Sequence, residues 1–364
     1  MNKKLGFGCM RLPMKNDKID YEEFTKMVDM FMANGFTYFD TAHVYHGGNS
    51  EIALRDCLTS RYPRESYQLT NKLSGSCFKE EKDIRPLVDH LLEICGVEYF
   101  DYFLMHAQSR SNYEHFTKCR AYEISNELKK EGKIKHLGLS FHDDAAFLDQ
   151  ILNEHPEIEI VQIQFNYYDF NSSSVQSKLC YDVCKKHHLP IIVMEPIKGG
   201  KLANLPKEAL DVLKNDENLS PASFAVRFVA SFDDIVMVLS GMSNLEQLAD
   251  NISYMKDFKP FTKEEYEKVN KVVEILDHIP LIECTACRYC IDGCPKQIHI
   301  PDLFHLYNET EKFAGSDNSF GYRMHTKNNN LASDCIKCGK CEKICPQHLP
   351  IRSLLENVAK RFEK

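Results

Sequence analysis

Eight of the chain's 15 cysteines fall between Cys284 and Cys345, in two runs of identical spacing. Cys284, Cys287, Cys290 and Cys294 are followed by Pro295, and Cys335, Cys338, Cys341 and Cys345 by Pro346. Thiolates are soft metal ligands, and so dense a group in a reducing compartment reads as a metal site, not as disulfides. Zinc knuckles need paired C-x2-C units with four ligands per site. That scheme leaves the third cysteine of each run and both Cys-Pro steps unexplained. A second group carries different chemistry: Asp40, Tyr45, Lys72 and His106. Reducing a carbonyl by hydride transfer requires an acid for the developing alkoxide. A tyrosine serves if its pKa, about 10 when free, is lowered. A lysine ammonium does that, and a carboxylate holds the lysine charged. A histidine aimed at the carbonyl oxygen orients it through a hydrogen bond. General-acid help of this kind is worth about 10²–10⁴ in rate.

These four residues must be gathered by the fold. The first 277 residues alternate short apolar runs with amphipathic segments. The runs lie at 5–10, 36–39, 67–70, 99–105, 134–139, 158–165, 190–194 and 235–239, each rich in β-branched and aromatic residues and read as a buried strand. Between them, Phe24, Met27, Val28 and Phe31, and later Leu245, Leu248, Ala249 and Ile252, follow helical spacing. Eight alternating units predict a parallel (β/α)8 TIM barrel. Asp40, Lys72, His106, Ser140, Asn166, Glu195 and Ser240 stand at the C-terminal ends of successive runs, the face on which such barrels carry their active sites.

The segments Phe39-Asp40-Thr41-Ala42-His43-Val44-Tyr45, Thr70-Asn71-Lys72 and Leu104-Met105-His106, with Gly6–Leu12 and Val161–Tyr167, resemble the aldo/keto reductases over about residues 1–275. The resemblance implies Tyr45 as acid, Lys72 and Asp40 as its tuning pair and His106 as orienter. It also implies a small carbonyl or alcohol substrate and a nicotinamide cofactor, NADP(H) or NAD(H). Barrels of this kind commonly hold phosphate with the loops after strands seven and eight, here residues 196–201 and 240–244. The expected cofactor contacts are Ser140, Gln164, Pro196, Lys198, Gly199, Gly200, Ser240, Gly241, Met242, Ser243, Gln247 and Asn251. Three positions depart from the family pattern. Phe141 follows Ser140 where an Asn often holds the nicotinamide amide, Met194 replaces a stacking aromatic, and Ser243 replaces an Arg for the 2′-phosphate.

The two cysteine runs resemble the bacterial two-cluster ferredoxins, in which the fourth cysteine of each run ligates the other cluster. That implies one 4Fe–4S cluster on Cys284, Cys287, Cys290 and Cys345, and another on Cys335, Cys338, Cys341 and Cys294. The expected domains are a barrel over 1–277 and a ferredoxin-like domain over 278–364. The latter holds twelve Lys/Arg against ten Asp/Glu, a balance of +2, so with a net charge of −8 for the whole chain the first 277 residues carry about −10. Forty residues separate Cys294 from Cys335; they open with an amphipathic stretch at 300–307 and read as a polar loop over 315–330.

Net acidity argues against nucleic acid as a partner. The absence of a secretory pattern and of long apolar stretches gives the expectation of a cytoplasmic protein without a membrane span. Three functional readings remain at this point. The first is a nicotinamide-dependent carbonyl reductase whose clusters are structural or serve a redox partner protein. The second places a flavin on the phosphate loops, linked to the clusters. The third is a redox-sensing or electron-carrying subunit with a non-catalytic barrel.

Overall fold

The computed structural model describes residues 3–173, 175–214, 219–279, 281–313, 317–327 and 329–363. Pro280 at the expected domain boundary, and Gly315, Ser316 and Asn328 of the expected loop, lie outside the described residues. The chain divides into two compact units, one of residues 1–199 and 215–267, the other of residues 200–214 and 268–364.

The first unit is a closed barrel of eight parallel strands. They are β1 (Leu5–Gly8), β2 (Tyr38–Asp40), β3 (Gln68–Leu73), β4 (Phe100–Gln108), β5 (Ile134–Phe141), β6 (Ile160–Gln164), β7 (Ile191–Met194) and β8 (Ile235–Ser240). Each strand pairs with the next and β8 closes on β1, Leu5 opposite Val238. All eight apolar runs become strands. Side chains alternate across each strand, so Tyr38 and Asp40 share the inner face of β2 while Phe39 points out. Phe39 packs there against Phe7 and Phe31, with ring centroids 5.8 and 5.3 Å apart. Inside, Tyr38, Leu104, Ile160, Ile192, Met237 and Leu239 form a buried apolar cluster beneath the polar strand ends.

The helices begin where short polar side chains satisfy free N–H groups. Asp20 caps Tyr21–Ala33, Asp144 caps Ala145–Glu154 and Asn244 caps Leu245–Met255. The last of these departs from its expected stripe: Ala249 is exposed and Asn251 is buried. A hairpin of Met14–Lys15 and Lys18–Ile19 was not anticipated; its turn places Asn16 and Asp17 at positive φ, where these residue types are tolerated.

The second unit has its own core of Ile298, Ile300, Leu303, Phe304, Tyr322, Leu355 and Val358. Its principal helices after the barrel segment are Ile300–Lys312, Ser319–Thr326 and Ile351–Phe362. The helix Ser319–Thr326 lies where a polar loop was expected. Tyr322 is the reason. Its ring stacks on Phe362 at 4.8 Å, and its hydroxyl donates to Glu363 and accepts from the Ala332 N–H. One well-anchored aromatic outweighs the polar composition, because tertiary packing supplies most helix stability.

A single glycine shows how closely the barrel wall is packed. A Cβ on Gly138 would lie 2.3 Å from Leu104 Cδ2 and 2.9 Å from the Ile160 carbonyl oxygen. Gly138→Ala should therefore destabilise the barrel by about 1–3 kcal/mol through overpacking, measured as a lowered midpoint in urea denaturation followed by circular dichroism. An unchanged midpoint would contradict the packing described.

Candidate active site

Lys72 is fully buried on the inner face of β3, and Asp40 is 3 % exposed on β2. The Lys72 ammonium donates to Asp40 Oδ1 and to the Thr41 carbonyl at 2.8 Å. Gln162 Nε2, from β6, donates to Asp40 Oδ2 at 3.1 Å. Lys72 Nζ also lies 3.4 Å from Tyr45 Oη and 5.0 Å from the centre of the tyrosine ring. The Tyr45 and His106 rings meet edge to face with centroids 5.9 Å apart. All four expected residues thus come together at the C-terminal end of β2, β3 and β4.

Tyr45 is placed by a turn and not by a strand. Its N–H donates to the Ala42 carbonyl, and His46, Gly47 and Gly48 follow at φ of 51°, 63° and 87°. This left-handed run turns the chain into the helix Asn49–Leu54. Ser50 ties that helix down by bonding Thr41 Oγ1 at 2.9 Å and the Cys9 carbonyl at 3.1 Å. Buried Glu51 accepts from Asn71 Nδ2 at 2.7 Å and pairs with His43 Nδ1 at 2.6 Å. His46 Nε2 accepts from the Leu12 N–H. The two histidines beside Tyr45 are therefore engaged in holding the loop.

The electrostatics differ from expectation in one respect. Burial raises the Tyr45 pKa above its ordinary value; Lys72 opposes this and Asp40 adds to it. The phenol is thus held protonated instead of being poised to ionise. Burial also raises Asp40 against the pull of Lys72. Lys72 is raised: burial alone would lower it, but Asp40 and Tyr45 together outweigh that. His106 is lowered to about 3 by burial, with Lys72 and His142 adding to the effect. Its Nδ1 lies 2.6 Å from Ser74 Oγ.

The expected cofactor residues divide into two groups. Ser140 Oγ, Ser240 Oγ and Asn251 Oδ1 are buried without a hydrogen-bond partner, and buried polar atoms normally have one. Their chemistry and place fit a polar ligand along the ends of β5 and β8. Gly199 and Gly200 have positive φ of 64° and 96°, and Gly241 packs against the Arg11 stem. Arg11 was not anticipated. Its guanidinium lies 3.3 Å from where a Gly199 Cβ would stand, and its carbonyl accepts from Ser243 Oγ. Other residues are already engaged. Lys198 pairs with Asp169 at 2.9 Å, Gln247 Oε1 accepts from the Ser243 N–H, and Met242 is buried. Pro196 is buried and Gln164 half-buried. Glu23 Oε1 accepts from the Leu245 N–H at 3.0 Å, occupying the first turn of the helix after β8. Phe141 is buried against Phe147.

In the second unit two small cavities are each lined by four cysteines. The first holds Cys284, Cys287, Cys290 and Cys345; the second Cys294, Cys335, Cys338 and Cys341. Ile300 lines both. The backbone repeats between the runs. Positive φ recurs at Ala286 and Lys337, at Arg288 and Gly339, and at Gln297 and His348, matched positions of the two cysteine runs. Left-handed residues of this kind turn successive N–H groups toward one point, a geometry that suits anionic sulfur.

Residues 4–274 match the aldo/keto reductase family. The chain belongs to that family. Residues 283–349 match a 4Fe-4S dicluster domain, so this is an aldo/keto reductase family oxidoreductase with a C-terminal 4Fe–4S ferredoxin-type domain. Among curated relatives, a probable aldo-keto reductase 1 of Glycine max is 26% identical over 291 residues, covering 68% of this chain and 80% of the relative. An NADH-specific methylglyoxal reductase of Escherichia coli is 26% identical over 260 residues, covering 60% and 78%. The holo form of an aldo-keto reductase from Bacillus halodurans superposes with a TM-score of 0.62 at 21% identity, covering 74% of this chain and 91% of that one. A Klebsiella pneumoniae aldo-keto reductase in complex with NADPH gives 0.60 at 16%, covering 74% and 90%. These structures share the barrel fold. Among the described residues no helix is long and apolar enough to cross a membrane.

Gln162, inside the Val161–Tyr167 segment but given no role there, and Ser74, outside the quoted segments, are neighbours of the Asp40–Lys72–His106 group that the sequence reading did not single out. Gln162 could have been found, since it lies two residues before Gln164 and so on the same strand face. Ser74 lies beyond the end of β3, where no periodicity applies. The depressed His106 pKa has a consequence for stability. Between pH 6.5 and about 3 the unfolded chain binds a proton at His106 that the folded chain does not, so stability falls as pH falls through that window. His106→Gln should lose less melting temperature than the parent between pH 6.5 and 4.5, compared by scanning fluorimetry.

Proposed function

We propose that the barrel reduces a small carbonyl compound, or oxidises the corresponding alcohol, with Tyr45 as general acid. The observation that carries this reading is the buried Lys72 ammonium, bonded to Asp40 and 3.4 Å from the Tyr45 hydroxyl. A bound nicotinamide supplies the hydride for the carbonyl carbon. As the hydride arrives, the Tyr45 O–H gives its proton to the carbonyl oxygen, and the phenolate left behind faces Lys72. Asp40, held by Gln162, keeps Lys72 charged and in place. With Ser74 donating to Nδ1, neutral His106 keeps its proton on Nε2 and presents a donor to the carbonyl oxygen.

The adenosine end favours NADH over NADPH. Ser243 offers no cation to a 2′-phosphate, and the Glu23 carboxylate already occupies the adjoining helix N–H. A carboxylate near the ribose suits free hydroxyls and repels phosphate. The unpartnered Ser140, Ser240 and Asn251 atoms are the groups we assign to the dinucleotide, with Arg11 beside the glycines at its pyrophosphate.

The cysteine-lined cavities are assigned to two 4Fe–4S clusters, one on Cys284, Cys287, Cys290 and Cys345 and one on Cys294, Cys335, Cys338 and Cys341. Such clusters carry one electron each and suit exchange with a separate redox protein.

Tyr45→Phe should lower carbonyl reduction by about 10²-fold or more, while nicotinamide fluorescence titration still shows NADH binding, tighter than NADPH. Undiminished activity would remove Tyr45 as the acid. Cys287→Ala should lose about half of the bound iron and sulfide, as one of two clusters fails; unchanged iron in anaerobically purified protein would refute the ligand scheme.

A further inference from the structure

The insert between the cysteine runs holds a cluster that neither reduction nor iron–sulfur ligation uses. His299 precedes the helix Ile300–Lys312, Asp302 lies in its first turn, and His325 lies in the last turn of Ser319–Thr326. Ligand atoms of these three side chains all lie within 4.8 Å of one another. Asp302 Oδ2 is 3.6 Å from His299 Nδ1 and 3.7 Å from His325 Nε2. Those gaps exceed hydrogen-bond length, about 2.7–3.2 Å for N–H···O. They approach the edges of a coordination tetrahedron, roughly 3.4 Å for metal–ligand bonds of about 2.0–2.1 Å.

Two further observations point the same way. His325 Nε2 is buried with no hydrogen-bond partner among the described residues. The two imidazoles meet edge to face, inclined at 62° with centroids 5.6 Å apart, which leaves their ring nitrogens unstacked beside Asp302. Arg288 donates to both Asp302 oxygens, at 2.6 and 3.1 Å. A carboxylate offers about four lone-pair positions, and hydrogen bonds to ligating carboxylates are a usual orienting device. The arginine's charge weakens the site without blocking it. Two imidazoles and one carboxylate suit a borderline cation such as zinc or ferrous iron, whereas calcium and magnesium favour oxygen ligands.

We propose that His299, Asp302 and His325 form a mononuclear site for a borderline divalent cation of the zinc type, distinct from the cysteine motifs. The ion joins the helix Ser319–Thr326 to the start of Ile300–Lys312 and so gives the insert a structural purpose. The fourth coordination position is left to water.

The test uses the full chain, purified anaerobically with its iron intact and titrated with zinc ions against a competing chelator. One saturable zinc per chain is expected, with iron content unchanged. The zinc K-edge absorption spectrum should show nitrogen and oxygen neighbours at about 2.0–2.1 Å. His325→Ala and the closer-sized His325→Gln should each weaken zinc binding at least about 10-fold while retaining iron, which reports that the unit still folds. Zinc should slow amide exchange in residues 319–326 of the parent and not of the variants. A shell dominated by sulfur near 2.3 Å would mean stray capture by thiols and overturn the proposal. Absence of saturable zinc, or equal affinity in iron-replete variants, would overturn it as well. None of these readouts depends on carbonyl reduction.

Discussion

The polar end of the barrel is organised around one buried ion pair, Lys72 with Asp40. Both side chains are withdrawn from water, and each ion costs several kcal/mol to desolvate, so neither is tolerable inside the barrel alone. The pair survives because the Thr41 carbonyl and Gln162 amide complete its hydrogen bonds. Strands β2, β3 and β6 must therefore hold one register. A slip of one residue would turn these side chains outward. The same pair bears on Tyr45: burial raises the pKa of the phenol, the Lys72 ammonium opposes this and Asp40 adds to it.

The cysteine unit meets a different constraint. Four sulfurs must converge twice, and the chain does so by repeating one backbone form, with left-handed residues at matched places in each run. Exchange of the fourth cysteine between runs follows, since Cys294 and Cys345 each line the other run's cavity. The two kinds of cofactor such domains carry handle electrons differently. A hydride moves two electrons together, whereas an iron–sulfur cluster passes one at a time. Direct exchange between them requires a carrier that accepts both, a property that distinguishes flavin from nicotinamide.

The loops after β7 and β8 show how neighbours decide what a charge can do. Lys198 and Lys201 look alike in the sequence, yet Asp169 and Glu309 neutralise them. Arg11, from the segment after β1, takes the place beside the glycines instead. The carboxylate of Glu23, far away in sequence, reaches the helix after β8 and alters what anion that helix can receive.

Much of this protein was legible in its residues. The eight apolar runs specify strands because burial on both faces of a parallel sheet demands continuous apolar residues. Polar residues at their ends mark the face on which barrels of this kind carry their active sites. Cysteine spacing specifies clusters because a cube of iron and sulfur accepts few ligand geometries. Other features had no local signal. The helix Ser319–Thr326 forms because Tyr322 finds Phe362, Glu363 and Ala332, contacts that no periodicity records. Ser74, Glu23 and Arg11 meet His106, Leu245 and Gly199 only when the barrel closes. The sequence by itself determined which residue types line which strand ends, since that depends on periodicity along the chain. Only the tertiary structure decided their ionisation and partners, because desolvation and pairing depend on distances between segments remote in sequence.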